Sequence, residues 1–468
     1  MLLGHDKRRC VTVVLSAFIA FFFCASYWLW KGGEHVRLVP SFQEGDIVGD
    51  VGDVAGAAGA AGGEKEVETS SLPLPPAPVE TGRAGSKELT EEEIVLAQYD
   101  EAPIKELCAN TSWADSRDVV VSCGARVGGV GNVRQEFLVC VRQAIEIGAS
   151  LILPTIMLRS EGLIEYQNGP VHNMSYLFNL ELFDSRLRSA CPRMPIYNDL
   201  AEVERVGEIA KVDRPWDLPE QQGVRLSFTA WAKLNRQGEG RITVINMPKI
   251  TGQTPVCNDS PSFVANFGRL VEFRPDTHRL ASLILEAIRE RFSLSALPHF
   301  GVAHSSFVGL HFRTEVDAVN VGYTSFEEQT KAYLSYISAA PIRAIYAASG
   351  NTTSLDLFSI EAAKLDPPAT VVAKGDLLSG AEKAELDALT WDQQALVDYL
   401  VLEKAARFAG VSDSSFSWGI AYARQVVSGQ AGTCRSIKNE TDKAVQFRDE
   451  LSTVFGRPRD WHMDKLWP

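Results

Sequence analysis

Four ionisable side chains, His311, Arg313, Glu315 and Asp317, lie close together in residues 308–317, which read VGLHFRTEVD. The first part has the apolar content of a strand, and because side chains alternate between the two faces of a strand, His311 and Arg313 point to the same side. Open α/β sheets bind ligands at the carboxyl ends of their strands. An arginine there can form two hydrogen bonds with a phosphate group, and Asp317 can orient either side chain. A structural arginine–aspartate pair beside a buried histidine explains the spacing equally well.

A second polar group belongs to a predicted long helix over residues 391–406 and to the turn that follows it. Asp398 lies inside this helix, and Ser414 and Ser415 stand just before the next predicted helix. Hydroxyl side chains at the start of a helix are most often caps. The unpaired N–H groups of a helix start also attract anions, so the two serines can equally bind a diphosphate.

A glycine-rich loop, Gly128-Gly129-Val130-Gly131-Asn132, stands between a predicted strand and a predicted helix. Glycines there let the backbone approach a ligand, and the helix start offers N–H groups to oxygen-rich ligands. The loop is not a dinucleotide-binding fingerprint, since Arg134 occupies the third glycine position, and the chain has no nucleoside triphosphate-binding loop. An ordinary tight turn is the alternative interpretation.

Alternating strand and helix patterns position these three segments. A buried strand at 118–123, a helix after Asn132 and a strand at 149–154 predict a β-loop-α-β unit. A second series begins near residue 307, with strands at 307–313, 342–348 and 370–373, helices at 325–338, 355–365 and 391–406, and a last turn and helix at 414–425. The two series predict an α/β protein with two doubly wound domains facing one cleft. Residues 214–297 are ambiguous.

The three segments, in this order and spacing, resemble the GDP-fucose-dependent O-fucosyltransferase superfamily, especially its fungal and plant-type members. The loop GGVGN is similar to the first motif of that family, HFRTEVD to the second and SSFS to the third, and FDSRLRSACPRMPIY at 183–197 is also similar to a family segment. The resemblance covers about residues 120–425. It implies a GT-B fold, which consists of two Rossmann-like domains, with GDP-fucose held by the carboxyl-terminal domain.

The resemblance also implies a role for each matching residue. Two are implied to be catalytic: Arg313, which would contact the β-phosphate and stabilise the departing GDP, and Asn132, which with Gly129 and Gly131 would lie near the acceptor. The others would bind the donor: His311 and Asp317 shape the pocket, Asp398 faces the guanine, Ser414 and Ser415 hold the phosphates, and Phe416 lies in the same pocket. The negative charge that develops on the leaving diphosphate explains why a positioned cation is needed.

Transfer with inversion of the anomeric centre and without a required metal is also implied by the resemblance. Consistently, no D-x-D occurs between residues 97 and 468. No catalytic base can be identified, because only charge recommends Glu136 or Glu315. Two alternatives remain open. One is transfer of another sugar from a nucleotide-sugar donor, and the other is a non-catalytic, membrane-anchored binding protein.

The composition limits the partners and the location. The chain has 46 basic and 59 acidic residues and a net charge of −13, so general nucleic-acid binding is excluded. After a basic tail at 1–10, the uncharged residues 11–30 are long enough for a membrane-spanning helix. Residues 31–96, with 13 acidic and 5 basic side chains, read as a disordered stem.

This topology predicts a single-pass type II protein of the Golgi or endoplasmic reticulum membrane, with a lumenal catalytic part. A cleaved signal peptide is the main competing interpretation. The predicted domains of the lumenal part cover 97–298 on the acceptor side and 299–468 on the GDP-sugar side. The expected partners are a GDP-sugar donor, a protein or glycan acceptor and the membrane.

Six cysteines that follow the predicted anchor allow up to three disulfides in an oxidising compartment. They are Cys108, Cys123, Cys140, Cys191, Cys257 and Cys434. Cys140 falls in an apolar helical segment, which predicts a buried free thiol. The other pairings remain open.

Overall fold

The computed structural model describes residues 99–113, 116–158, 170–221, 224–238, 240–249, 256–295, 297, 301–429, 444–458 and 466–468. All of them belong to one compact unit, Arg83–Pro468. The predicted cytoplasmic tail, the membrane anchor at 11–30 and the stem at 31–96 lie outside the described residues. Within the described ranges, every helix is too short or too polar to cross a membrane.

Strands and helices alternate through most of the described chain. The strands are β1 (Val119–Ser122), β2 (Ala125–Arg126), β3 (Ser150–Ile152), β4 (Thr155–Met157), β5 (Val171–Asn173), β6 (Ile196–Tyr197), β7 (Ile209–Asp213), β8 (Glu220–Gln221), β9 (Val224–Arg225), β10 (Ile242–Asn246), β11 (Val308–His311), β12 (Ala344–Ala348), β13 (Thr370–Val372), β14 (Arg407–Val411), β15 (Val445–Arg448) and β16 (Ser452–Phe455). The helices are α1 (Ala102–Asn110), α2 (Val130–Ile147), α3 (Leu180–Ala190), α4 (Leu200–Glu204), α5 (Phe228–Leu234), α6 (Pro261–Phe267), α7 (Pro275–Arg291), α8 (Val316–Asn320), α9 (Phe326–Ser338), α10 (Thr352–Ala362), α11 (Gly380–Ala388), α12 (Trp391–Lys404) and α13 (Ser415–Val427).

The first sheet is parallel and has the strand order β6-β3-β1-β10-β7. Its central strand β1 is an uninterrupted run of valines, as is typical of a parallel strand covered on both faces. Val120 is paired with Ser150 of β3 on one side and with Val244 of β10 on the other. Strand β10 comes from residues 214–297, which the sequence left unassigned.

The second sheet has the order β13-β12-β11-β14-β16-β15, and only the edge strand β15 is antiparallel. The chain passes from β11 through β12 to β13 in one direction and then places β14 on the other side of β11. This reversal creates a topological switch point at the carboxyl ends of β11 and β14, where open α/β sheets bind ligands. The predicted α/β class and the predicted strands of this series are confirmed.

Helix α2 lies between the two sheets, and this position explains its unusual burial. It packs on β1 and β3 of the first sheet and also on α12 and α13 of the second half. Apolar residues such as Phe137 and Leu138 are buried, and so are polar ones such as Arg134 and Gln135. A helix enclosed on several sides needs internal partners for such polar groups, and α2 finds them.

Two disulfides are described, and one of them corrects the expectation for Cys140. Cys140 is not a free thiol, because it is bonded to Cys123, with the two Cα atoms 6.0 Å apart. Since α2 packs on the strand that precedes it, the helix face that carries Cys140 lies over the end of β1. The second disulfide joins Cys108 to Cys191, at a Cα–Cα distance of 5.2 Å. Cys434 and the side chain of Cys257 lie outside the described part of the chain.

Candidate functional site

A cavity of about 930 Å³ opens at the carboxyl ends of the second sheet. It is large enough for a nucleotide-sized ligand. The loop before α2 forms its other wall. All eight predicted site residues line this cavity: Asn132, His311, Arg313, Asp317, Asp398, Ser414, Ser415 and Phe416. The structure therefore brings together residues that are up to 284 positions apart in the sequence.

Arg313 lies two residues after the end of β11 and is held by carboxylates on two sides. Its two terminal nitrogens donate to Glu315 and Asp317 in short ion pairs. A guanidinium has five N–H donors, so these two contacts leave the others for a ligand. Burial alone lowers the pKa of Arg313, but the hydrogen bonds and charges of Asp317 and Glu315 outweigh it and raise that pKa above its ordinary value. Arg313 is therefore a fixed, permanent cation.

Glu315 was missed as a partner of Arg313, and the structure shows why it is a poor base. One of its oxygens accepts from the Gly350 N–H at 2.6 Å and from the Ser349 hydroxyl at 3.2 Å, and the other accepts from Arg313. Burial raises the pKa of Glu315, but the charge and hydrogen bond of Arg313 lower it further, so the net shift is downward. Glu315 is therefore an ionised carboxylate with both oxygens hydrogen-bonded, and its role is to orient Arg313.

His311 is the last residue of β11, and its ring is almost completely enclosed. Its Nδ1 lies 2.7 Å from the Ser417 hydroxyl, and its ring lies 4.5 Å from the ring of Phe416, centroid to centroid. Burial, the largest cause, lowers the pKa of His311 to about 4. The imidazole is therefore neutral at pH 7. It stabilises the start of α13 rather than adding charge to the cavity.

The start of α13 presents polar groups without partners to the cavity. Ser414 precedes the helix and Ser415 begins it, and neither hydroxyl makes a hydrogen bond within the described residues. The first N–H groups of any helix also lack partners in the helix, and the dipole places partial positive charge there. This helix start is well suited to bind an anion.

The glycine loop closes over that helix start from the other side. A Cβ on Gly131 would lie 2.7 Å from the Ser415 hydroxyl and 2.8 Å from the Phe416 nitrogen, so only glycine fits here. Gly128 has a φ of +126°, which favours glycine for conformational reasons. The Asn132 side chain is half-buried, lines the cavity and makes no hydrogen bond in the described structure. Part of the glycine pattern thus serves contact between the two halves rather than contact with a ligand.

Asp398 belongs to α12 and lines the cavity. One of its oxygens accepts from the Tyr346 hydroxyl and the other from Lys374, each at 2.6 Å. Burial, the largest cause, and Asp398 itself raise the pKa of Tyr346, so this hydroxyl remains a donor. The sequence analysis missed Lys374, although its position just after β13 at a carboxyl end was a usable signal.

Glu136, the other acidic residue considered as a base, lies outside this cavity. It is buried and pairs with Arg126 at 3.4 Å. Burial outweighs the charge of Arg126 and raises the pKa of Glu136 to about 7. Arg126 also donates hydrogen bonds to the backbone carbonyls of Pro248 and Met247.

No group of three or more metal-ligating side chains is found among the residues that the structure describes. Transfer without a metal stays a prediction.

Comparison with known proteins identifies a family. The family model described as "O-FucT: GDP-fucose protein O-fucosyltransferase" matches residues 121–427. Solved structures of POFUT1 in complex with GDP and with GDP-fucose are 12% and 11% identical, have TM-scores of 0.41 and 0.40, and each cover 74% of this chain and 99% of that chain. The fucosyltransferase NodZ from Bradyrhizobium is 16% identical, with a TM-score of 0.33, and covers 66% of this chain and 92% of its own. A search of curated proteins finds no match.

Proposed function

This chain belongs to the GDP-fucose protein O-fucosyltransferase family, and we propose that it transfers fucose from GDP-fucose to a hydroxyl group of a protein or glycan acceptor. One observation carries the proposal. The fixed cation Arg313 and the two unbonded hydroxyls of Ser414 and Ser415 line one cavity at the switch point of the second sheet. That combination suits a diphosphate better than any uncharged ligand.

In the proposed reaction the acceptor oxygen attacks the anomeric carbon from the face opposite to GDP. A bond forms between this oxygen and the sugar carbon, the bond from the carbon to the β-phosphate oxygen breaks, and the proton of the acceptor hydroxyl is released. Attack from the opposite face inverts the anomeric centre. Negative charge grows on the departing GDP, and Arg313 is already oriented to receive it.

The other residues that line the cavity would bind different parts of the donor. The start of α13, with Ser414 and Ser415, would hold the phosphates. Asp398 would meet the N–H donors of the guanine, because each of its oxygens can accept a further hydrogen bond besides the one from Tyr346 or Lys374. Asn132 would lie across the cavity, beside the position of the acceptor.

We also propose that the chain works in the Golgi or endoplasmic reticulum lumen. This rests on the sequence of residues 1–96 alone, where an apolar run at 11–30 precedes an acidic, glycine- and proline-rich stem.

A donor panel tests the proposed activity. The full-length protein in detergent is incubated separately with GDP-fucose, GDP-mannose and UDP-sugars, and the released nucleotide is measured with water as the acceptor. We expect slow release of GDP from GDP-fucose alone. Release from another donor would favour the alternative glycosyltransferase, and release from none by a protein that also fails to bind GDP would favour the non-catalytic binding protein.

A further inference from the structure

The last three described residues, Leu466–Pro468, which we call the C-terminal strap, pack far from the sheet that precedes them in the sequence. They follow β16 of the second sheet, yet they lie against α2 and α6, which accompany the first sheet. The Trp467 side chain is completely buried. Its ring lies 4.6 Å from that of Phe267 and 5.8 Å from that of Phe263, centroid to centroid.

The strap is also hydrogen-bonded to α2 in a specific way. The backbone N–H of Trp467 donates to the side-chain oxygen of Gln135 at 2.8 Å. The side-chain nitrogen of Gln135 donates back to the backbone carbonyl of Trp467 at 2.7 Å. Arg134 donates to the Pro468 carbonyl and to the Gly268 carbonyl, each at 2.7 Å. These bonds satisfy buried polar groups on both sides, so they fix the register between strap and helix.

A glycine makes room for this contact. A Cβ on Gly268 would lie 2.2 Å from the Pro468 carbonyl oxygen, which is far inside van der Waals contact. Gly268 has an ordinary φ of −58°. Close approach of the strap is therefore the reason for a glycine at this position.

The bonded residues of α2 adjoin the cavity wall. Arg134 and Gln135 come two and three residues after Asn132, within one helical turn. On the turn before them, Gly131 has backbone and side chain of α13 at contact distance. The first turn of α2 is thus held between α13 on one side and the strap on the other.

We infer that the C-terminal strap is a positioning element of the site: the Trp467 ring anchors the strap on α6, and the backbone bonds of Trp467 to Gln135 then place the loop 128–132 against the start of α13. The inference rests on the proposed function, because it assigns the loop to the acceptor side of the reaction. It does not make Trp467 a catalytic residue, since the described hydrogen bonds and ring contacts of Trp467 go to α2 and α6.

The inference predicts a division between binding and turnover. GDP would contact Arg313, Ser414 and Ser415 of the second half, so loss of the strap leaves GDP affinity within about twofold. The loop that would orient the attacking oxygen shifts, and a displacement of about 1 Å can cost up to about 100-fold in rate. We expect Trp467→Ala to lower GDP-fucose turnover at saturating donor by about tenfold or more.

The matched control is Trp113→Ala in the full-length protein. Trp113 is an equally buried tryptophan that lies beside Gly148, at the opposite end of α2. We expect both variants to lower the melting temperature, but only Trp467→Ala to lower turnover. Trp467→Phe, which keeps an aromatic ring in the site, should restore most of the turnover. Equal loss of turnover in both alanine variants would show a merely structural role and overturn the inference.

Hydrogen exchange of the free protein tests the same inference without any donor. In Trp467→Ala we expect faster exchange in 128–132, and in Trp113→Ala we expect no change there. Gln135→Leu carries this test if Trp467→Ala fails to fold. Unchanged exchange in 128–132 would contradict the positioning role even if the wild-type protein proved to bind no GDP, so this failure is distinct from failure of the proposed function.

Discussion

Two buried arginine–glutamate pairs occupy comparable places in the two halves of the molecule, yet only one of them lines the cavity. Arg126 ends β2 of the first half and pairs with Glu136, whereas Arg313 follows β11 of the second half and pairs with Glu315. The two arginines differ in the partners of their N–H donors. Arg126 uses its donors on backbone carbonyls, while the side-chain bonds of Arg313 go only to carboxylates that hold it in place.

The two glutamates have opposite net pKa shifts, although each arginine lowers the pKa of its own partner. Burial raises the pKa of Glu136 to about 7, because its contact with Arg126 is long. The short double ion pair lowers the pKa of Glu315 despite burial. Arg313 is thus held in place by two carboxylates and keeps other donors for a ligand, while Arg126 has both of its terminal nitrogens bonded within the fold.

The largest expected effect is on turnover, and it comes from removal of Arg313. Arg313→Ala should lower GDP-fucose turnover by about 1,000-fold, because the charge on the departing GDP loses its preorganised partner. Arg279→Ala, which removes an exposed arginine paired with Glu385, is the control and should keep wild-type turnover. Near-normal turnover of a folded Arg313→Ala protein would remove the distinction between the two pairs.

A change in the pair of Arg126 and Glu136 should alter the stability of the protein rather than its activity. Because the pKa of Glu136 is higher in the folded than in the unfolded chain, the folded state binds more protons between pH 4.5 and 7, and stability falls as pH rises through that window. The shift corresponds to about 3 kcal/mol. Relative to wild type, Glu136→Gln should therefore gain about that much more unfolding free energy at pH 8 than at pH 5. An equal difference at both pH values would contradict the raised pKa.

For His311, close to Arg313 in the sequence, the contribution to stability should depend on pH in the opposite direction. Its pKa falls from 6.5 to about 4 on folding, so its contribution is fully present above pH 6.5 and is lost as pH falls towards 4. We expect wild type to lose up to about 3 kcal/mol relative to His311→Gln between pH 7 and pH 4, measured by denaturant unfolding. Parallel pH profiles for the two proteins would show that the buried neutral imidazole is not the cause.

A smaller effect tests the anion site next to Arg313. Ser415→Ala removes one hydroxyl of the cavity, and loss of one hydrogen bond to a charged group corresponds to about 1.5 kcal/mol or more, which is about tenfold in GDP affinity. Ser428→Ala changes a serine at the opposite end of α13, whose hydroxyl donates to the Gln425 carbonyl. That control should bind GDP as wild type does. Equal affinities of the two variants would place the phosphates elsewhere.

Much of the site could be predicted from sequence because its members stand at element boundaries. His311 ends a strand and Arg313 comes two residues later, while Ser414 precedes a helix and Ser415 begins it, so their geometry follows from local periodicity. The partners of these residues could not be predicted so readily. Lys374 meets Asp398, 24 positions later in the sequence, only in the folded protein, and no local pattern predicts the pair.

The same reasoning accounts for the errors. Cys140 looks like a buried core residue within its helix, and only the packing of α2 on β1 reveals its partner. The run that forms β10 has no local signal of its place beside β1, since parallel pairing over a long separation depends on the whole fold. Gly131 lines the cavity with its loop as expected, but the pattern did not predict that its missing side chain also makes room for Ser415 and Phe416.

The central claim is that the cavity beside Arg313 binds the GDP part of a sugar donor. Calorimetric titration of the full-length protein with GDP, with UDP as the control and EDTA present, tests this claim without knowledge of the acceptor. We predict selective binding of GDP in EDTA, and no measurable binding by Arg313→Ala. A well-folded wild-type protein that binds neither nucleotide, or binds both equally, would contradict the claim.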